Sequence, residues 1–428
     1  WTGAVSNDWN DPANWEYHMK PTDNDDATIP SGTPNDPRIY NAAAFCKSLS
    51  IAAGASLHVD DETLTVDGDL EIYGELQMDN ASGVLNIEND VFWKAGSTDN
   101  ITNGTINVDG NWTFENGTSA QLATQNTVNF TGAANCVIYC MDGDAGFGSV
   151  SLQNPTATWI DMSSPYPMKV AGDMDLLQGF FQIQDREIIV DGDLNIADGT
   201  IFFLDDTHTG DLTVGSDCIV NGELIVGGGT ALVNGLFELE TTGIISITDG
   251  SLTVDNTSGT TPLHGEFNFS GNGILNIYNY LSIGSSSTMN ISGGLIRVRS
   301  HLLIYGNNIF QPTGGAIEFF GNQDTDIQFT NGASSGSYFH DMIISKDPGF
   351  KAYLSEETEV KNDITINSGL FSLINGGGFL DLIVGGNWTN NIGDAGFEEG
   401  EGTVTFNGSN PSDITTDETF YDLKIDKT

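Results

Sequence analysis

The sequence predicts an all-β chain wound as a right-handed parallel β-helix, a β-solenoid with rungs of about twenty residues and an N-terminal cap. Three observations lead there. The segment at residues 108–132 recurs without a gap at residues 384–408. Short runs of alternating apolar and polar residues are punctuated by Gly, Asn and Asp at intervals of about twenty residues, the length of one coil. Helix signals are nearly absent, because 13 Lys+Arg beside 59 Asp+Glu leave few opposite-charge pairs to decorate surface helices.

Residues 1–45 read as the cap. Trp1, Trp9, Trp15 and Tyr17 supply apolar bulk, the polar stretch 21–27 interrupts it, and Ile29-Pro30 closes it. A stacked array needs such a cover over its first rung. Residues 46–428 read as one continuous solenoid without a linker. Leu64-Thr65-Val66-Asp67-Gly68-Asp69-Leu70-Glu71-Ile72 places two alternating strands on either side of an Asp-Gly turn, and Ile106-Asn107-Val108-Asp109-Gly110-Asn111-Trp112 does the same. Val170-Ala171-Gly172-Asp173 and Val190-Asp191-Gly192-Asp193 repeat the corner. In such a coil, inward residues stack on their equivalents one rung away and outward residues stay polar.

Internal repeats occupy roughly residues 106–194, 316–388 and 384–428. Thr127-Val128-Asn129-Phe130-Thr131-Gly132 is answered by Ala316-Ile317-Glu318-Phe319-Phe320-Gly321 and by Thr403-Val404-Thr405-Phe406-Asn407-Gly408. Each is followed by an aromatic-led strand beginning at Phe147, Phe339 or Phe420. The first two copies continue in step, from Asp173-Met174-Asp175-Leu176 and Gly179-Phe180-Phe181 to Asp363-Ile364-Thr365-Ile366 and Gly369-Leu370-Phe371. The last copy is interrupted at Thr428, so the natural polypeptide is expected to continue; Trp1 reads as the start of a processed or trimmed product. Immunoglobulin-like sandwiches are the competing architecture, but the cysteines do not frame a Trp and no linkers divide the chain.

The formal charge of −46 excludes nucleic acid and anionic lipid as partners, since phosphate binding needs clustered cations. No segment is long and apolar enough for direct membrane insertion. Cys46, Cys136, Cys140 and Cys218 have no zinc spacing. Period two places Cys136 and Cys140 on one face, where a bridge across a local turn is one reading, and Cys46 and Cys218 as small core residues is the other.

The opening Trp1-Thr2-Gly3-Ala4-Val5-Ser6-Asn7-Asp8-Trp9-Asn10-Asp11-Pro12-Ala13-Asn14-Trp15, followed by Asp26-Ala27-Thr28-Ile29-Pro30, resembles the repetitive extracellular β-solenoid proteins of Bacteroidetes-type bacteria. The Thr-Val-x-Phe-x-Gly repeats look like the body of the same group. The resemblance implies an extracellular or cell-surface protein, adhesin-like or surface-layer-forming, of a kind exported by type IX secretion. It brings no catalytic residues, and the C-terminal sorting domain of such cargo is not among these residues.

Parallel β-helices also build polysaccharide hydrolases and lyases, which need paired carboxylates over a groove. Asp205-Asp206-Thr207-His208 is the best local candidate, with Arg297 and Arg299 the basic pair nearest a strand; a solvated turn accounts for the former more simply. No cofactor is required. For Ca²⁺, Asp142 and Asp144 in Asp142-Gly143-Asp144-Ala145-Gly146, and Asp23, Asp25 and Asp26, are the candidate ligands, although neither loop meets the EF-hand pattern. Trp93, Trp112, Trp159 and Trp388 are candidates for stacking on sugars, but the repeat-equivalent Trp112 and Trp388 belong in a core. Asn-x-Ser/Thr sequons include Asn80, Asn111, Asn129, Asn256, Asn290, Asn387 and Asn407. The expectation is a non-enzymatic scaffold that self-associates or contacts other surface proteins or glycans. A carbohydrate-active enzyme and a glycan- or Ca²⁺-binding module are the alternatives.

Overall fold

Alternation of apolar and polar residues over three to five positions dictates the local structure, and the computed structural model shows short parallel strands stacked as a β-helix of about 17 coils. It describes residues 1–160, 164–205, 210–306, 309–330 and 336–427. Among them, helix is confined to the 3-10 turns Pro12–Asn14 and Asp394–Gly396, and no helix is long and apolar enough to cross a membrane. The chain divides into two compact units, Trp1–Ser216 and Asp217–Thr428.

In the N-terminal unit each coil presents three faces. The first carries Ala27–Ile29, Leu49–Ile51, Leu70–Ile72, Val91–Trp93 and Trp112–Phe114 in register, so Leu49, Leu70, Val91 and Trp112 form one inward column. The second carries Arg38–Ile39, Ser56–Val59, Glu75–Met78 and Thr98–Ile101. It thins to single bridges at Gln121–Gly146 and Phe147–Val170, then resumes at Met168–Val170. The third carries Ala44–Cys46, Thr63–Val66, Val84–Ile87, Thr105–Val108, Thr127–Phe130 and Ser149–Leu152. Burial alternates along nearly every strand, which is the period of two expected of a pleat with one face inside. All four cysteines are free and buried, and burial pushes their thiols up to about 12, so they act as small core residues.

The first coil starts earlier than the expected boundary at residue 45. Ala27–Ile29 already pairs in parallel with Leu49–Ile51, so the cap proper precedes Ala27. Asn14, fully buried, organises it: Oδ1 accepts from Val5 and Ser6 N–H at 2.9 Å, while Nδ2 donates to Ser6 Oγ and the Asp8 carbonyl at 2.9 Å. Trp15 packs edge-on against Trp1 and Trp9, with centroids at 5.2 and 4.8 Å. The Trp1 ammonium donates to the Thr28 carbonyl at 2.9 Å and Asp8 bridges Arg38, so the cap occupies edges that the first coil would expose.

In the C-terminal unit, Glu223–Val226, Ile244–Ile247 and Glu266–Phe269 stack on one face, Thr230–Val233, Ser251–Val254 and Ile274–Ile277 on the next, and Phe237–Leu239, Thr260–Leu263 and Tyr280–Ile283 on the third. Thr288–Val298 serves two faces without a break, turning at Gly293-Gly294, where Gly294 has φ +77.

The repeat is visible in atomic detail. Phe147 lies 6.1 Å from Phe130, Phe339 lies 6.2 Å from Phe319, and Phe420 lies 6.3 Å from Phe406. Trp112 is 5.2 Å from Phe147 and Trp388 is 5.4 Å from Phe420, so both Trp residues are core, as their repeat position requires. One step further, Asn154 donates to the Ala134 carbonyl at 2.6 Å, Lys346 to the Arg299 carbonyl at 2.8 Å and to that of Phe320, and Lys427 to the Gly385 and Asn410 carbonyls at 3.3 and 3.0 Å. The second and third copies do not share a face. Within the C-terminal unit the second copy pairs Gly314–Gly321 with Asp341–Lys346, whereas the third pairs Thr403–Phe406 with Asp422–Ile425, one face round the coil.

Candidate functional site

Alternation leaves every second side chain outside, and in both units many of these bond to their equivalents on the next coil. Asn86 donates to Thr65 Oγ1 at 3.4 Å, Asn107 to Asn86 Oδ1 at 2.8 Å, and Asn129 to Asn107 Oδ1 at 2.7 Å. In the C-terminal unit Asn290 donates to Asn268 Oδ1 at 2.7 Å and Asn391 to Asn367 Oδ1 at 3.0 Å. A carboxamide has a donor at one end and an acceptor at the other, so a column of them in register becomes a continuous ladder whose bonds polarise one another. The signal was present in the sequence as Asn at the third position of Val84-Leu85-Asn86-Ile87, Thr105-Ile106-Asn107-Val108 and Thr127-Val128-Asn129-Phe130. Reading those residues as generic polar positions missed it. A polar groove of about 460 Å³ runs beside the ladder, lined by Glu88 and Asp109 among others.

The corner residues that lead into the strands stack likewise. Asp90 Oδ1 accepts from the Asn111 main-chain N–H at 2.7 Å, Asp173 Oδ1 from that of Asp193 at 2.9 Å, and Asp363 Oδ1 from that of Asn387 at 2.7 Å. A carboxylate that accepts a main-chain N–H from the next coil fixes the corner against sliding. Asp90, Asp173 and Asp363 thus hold turns in place.

The expected Ca²⁺ ligands do not converge. Asp142 spends Oδ2 on the Gly117 N–H at 2.7 Å and Oδ1 on the Asp144 N–H at 2.8 Å, while Gln121 Nε2 donates to the Asp144 main-chain oxygen. Asp25 accepts from Thr22 Oγ1 at 2.6 Å and Thr22 N–H at 3.0 Å, and these bonds hold its carboxyl below the usual range. Asp23 accepts from Asn24 at 2.6 Å, and Asp26 faces Lys47 at 3.6 Å. The carboxylates of Asp142, Asp23, Asp25 and Asp26 are each engaged by a main-chain N–H, a side-chain donor or a lysine. Among the described residues, three ligand-type atoms lie within 4.8 Å of one another only at His58, Asp60 and Asp79, brought together across coils. His58 Nε2 is 2.8 Å from Asp79 Oδ1. Arg38 already forks onto Asp60, with Nε at 3.0 Å, and Asn80 adds a bond at 3.3 Å. Burial pushes the Asp60 carboxyl up, but the bonds from Arg38 and Asn80 and the charge of Arg38 outweigh it and hold it low. With a guanidinium on Asp60, the cluster is a hydrogen-bonded network across the first coils, anchored by the Arg38–Asp60 ion pair.

Of the hydrolase candidates, Asp205 follows directly on the strand Ile201–Leu204, is largely buried and accepts from Gln182 at 2.8 Å; Asp206, Thr207 and His208 lie outside the described residues. Arg297 lies over the Phe320 ring at 4.4 Å, donates to Glu318 at 2.6 Å and reaches Asn276 at 3.3 Å. Arg299 donates to Asn322 at 3.2 Å and lies 5.9 Å over Tyr278, whose ring meets Phe320 at 5.4 Å. Two guanidinium groups, two rings and two carboxamides therefore share one outward face of the C-terminal unit. Such a patch offers flat apolar surface with N–H donors at its rim. Trp93, Trp112 and Trp388 are buried, whereas Trp159 points outward and is half-buried between Val137 and Gln182.

A family model described as "Domain of unknown function (DUF8693)" matches residues 1–111, which span the cap and the first coils. No curated protein matches the chain, and no solved structure matches it.

Proposed function

We propose that this chain is a structural β-solenoid of an extracellular or cell-surface protein, a scaffold for adhesion or for self-assembly into a filament or surface layer. The observation that supports this reading best is how outward polar groups are used. The Asn ladders, the Asp corners and the Arg38–Asp60 fork are engaged with neighbouring coils, which favours a durable displayed surface. The resemblance of the opening segment to repetitive surface proteins supports the location. Electron microscopy of the native particle, with sedimentation analysis of the purified chain, tests it. Laterally or axially associated particles are expected, and isolated monomers under all conditions exclude the assembling form.

The second reading is a glycan-contacting module, favoured by the Arg297, Arg299, Tyr278 and Phe320 patch. Binding on a glycan array, lost on Arg299→Ala with Phe320→Ala, would establish it; the absence of binding leaves the scaffold reading alone.

A further inference from the structure

The patch of Arg297, Arg299, Tyr278 and Phe320 has a counterpart in the first copy of the repeat, and its charge is reversed there. The repeat aligns Asn129 with Glu318 and Thr131 with Phe320. On the coil before, Asn107 pairs with Asn129 as Arg297 pairs with Glu318, so the next outward positions, Asp109 and Arg299, correspond. One coil earlier, Asn86 pairs with Asn107 as Asn276 pairs with Arg297, which makes Glu88 the counterpart of Tyr278. Where the first copy lines its polar groove with two carboxylates, the second carries a phenol and a guanidinium.

Tying coils together accounts for most of these side chains. Asn129 donates to Asn107 at 2.7 Å and Thr131 Oγ1 to Asp109 Oδ1 at 2.6 Å; Arg297 does the same through Nε to Glu318 at 2.6 Å and Nη1 to Asn276 at 3.3 Å. Arg299 is different. It donates only through Nε, to the neutral Asn322 Oδ1 at 3.2 Å, and takes part in no ion pair among the described residues, although the chain holds 59 Asp+Glu. Its Nη groups meet no acceptor there, while the Nε bond and the Tyr278 ring at 5.9 Å restrain the guanidinium plane. Gly321 makes room for the stem: a Cβ there would stand 3.1 Å from Arg299 Cγ and 3.4 Å from Cδ. The group is therefore a fork held in place with its prongs free.

We infer that this patch is a site for an acidic saccharide: the Nη pair of Arg299 forks onto one carboxylate or sulfate of the sugar, and the Tyr278 and Phe320 rings pack against the sugar body. The inference rests on the glycan-contacting reading and names its ligand class. Arg297 is neutralised by Glu318, so one positive charge is left, which suits an isolated oxyanion. A polyanion would meet the repulsion of the −46 charge at every further group, and so would the acidic surface of a second copy.

The probe is an array of oligosaccharides of matched backbone in carboxylated, sulfated and uncharged forms, with calorimetric titration of the members that bind the full chain. Acidic members are expected to bind and their uncharged counterparts not to; which acidic form binds identifies the oxyanion. Arg299→Gln is expected to weaken binding at least about tenfold, a loss of roughly 1.4 kcal/mol or more. Arg299→Lys keeps the charge without the planar fork and is expected to weaken it at least about threefold. Lys351→Gln removes a cation paired with Glu398 elsewhere in the same unit and is expected to leave binding unchanged. Uncharged members that bind as well as acidic ones, with loss on Arg299→Ala with Phe320→Ala, overturn the acidic class and leave the glycan reading standing. No binding by any member overturns both. Acidic binding that survives Arg299→Gln overturns the site, and full affinity in Arg299→Lys overturns the fork. Concentration-dependent association of the chain, abolished by Arg299→Gln and unaccompanied by glycan binding, overturns the inference by making a second copy the occupant.

Discussion

The Lys346 ammonium reaches the Arg299 carbonyl at 2.8 Å, and with Thr325 Oγ1 at 3.0 Å and the Phe320 carbonyl it is surrounded by acceptors inside the C-terminal unit. Replacing it by Met leaves those buried oxygens without their donor, and a loss of about 1–3 kcal/mol is expected from chemical denaturation. Burial pulls the amine down from 10.5 to about 8, with Asp324 and Asp347 opposing the change. Between those values the unfolded chain binds the proton more readily than the folded one. Stability of the wild type relative to Lys346→Met should therefore rise with pH from about 8 to 10.5 and level off beyond. Denaturation midpoints of both proteins across that window check the sign.

Gly132 and Gly408 form a matched test of the repeat. A Cβ at either would stand 1.8 Å from a carbonyl oxygen one coil away, that of Asp109 or that of Gly385. Gly132→Ala and Gly408→Ala are each expected to cost about 1–3 kcal/mol or more, because the neighbouring atom is main chain and has little room to yield. Thermal unfolding of the two variants should show losses of similar size.

For the corners, Asp363→Ala should cost about 1–2 kcal/mol by leaving the Asn387 N–H without its acceptor, a bond of 2.7 Å. Asp363→Asn keeps an oxygen in place and should cost less than half as much. Equal losses in the two variants would show that the hydrogen bond is not what stabilises the corner.

Metal removal should be silent. Asp142 already accepts from the Gly117 and Asp144 N–H groups and Asp25 from Thr22, so excess chelator at low salt is expected to leave the melting temperature unchanged. A drop on chelation that millimolar Ca²⁺ restores would show that a cation does bind.

Added NaCl should do the opposite. A formal charge of −46 repels itself, and raising the ionic strength from about 0.01 to about 0.1 M shortens the screening length from about 30 to about 10 Å. The melting temperature should climb over that range and then flatten.

The coil was legible because its grammar is local. Alternation around Leu64-Thr65-Val66 and Ile106-Asn107-Val108 fixes strands, and the echo between Trp112 and Trp388 fixes their place in the core. The cap boundary was less legible, since the polar stretch before Ala27 hides that Ala27-Thr28-Ile29 is already a rung. The role of Asp142 and Asp144 is not legible from sequence for a chemical reason: Asp beside Gly suits a cation and suits a turn N–H equally well. His58, Asp60 and Asp79 escaped notice because their proximity depends on which residues face each other across coils, as Arg38 faces His58. The same dependence hid the face change between copies.

That face change makes copy number an angular setting. In the C-terminal unit, passing from the second copy to the third moves the same motif one face round the coil. If each copy adds the same shift, duplicating or deleting one would re-aim whatever is displayed beyond it while leaving the core chemistry untouched. A lineage could thus explore the azimuth of its surface features by recombination between copies, without a single substitution in the features themselves.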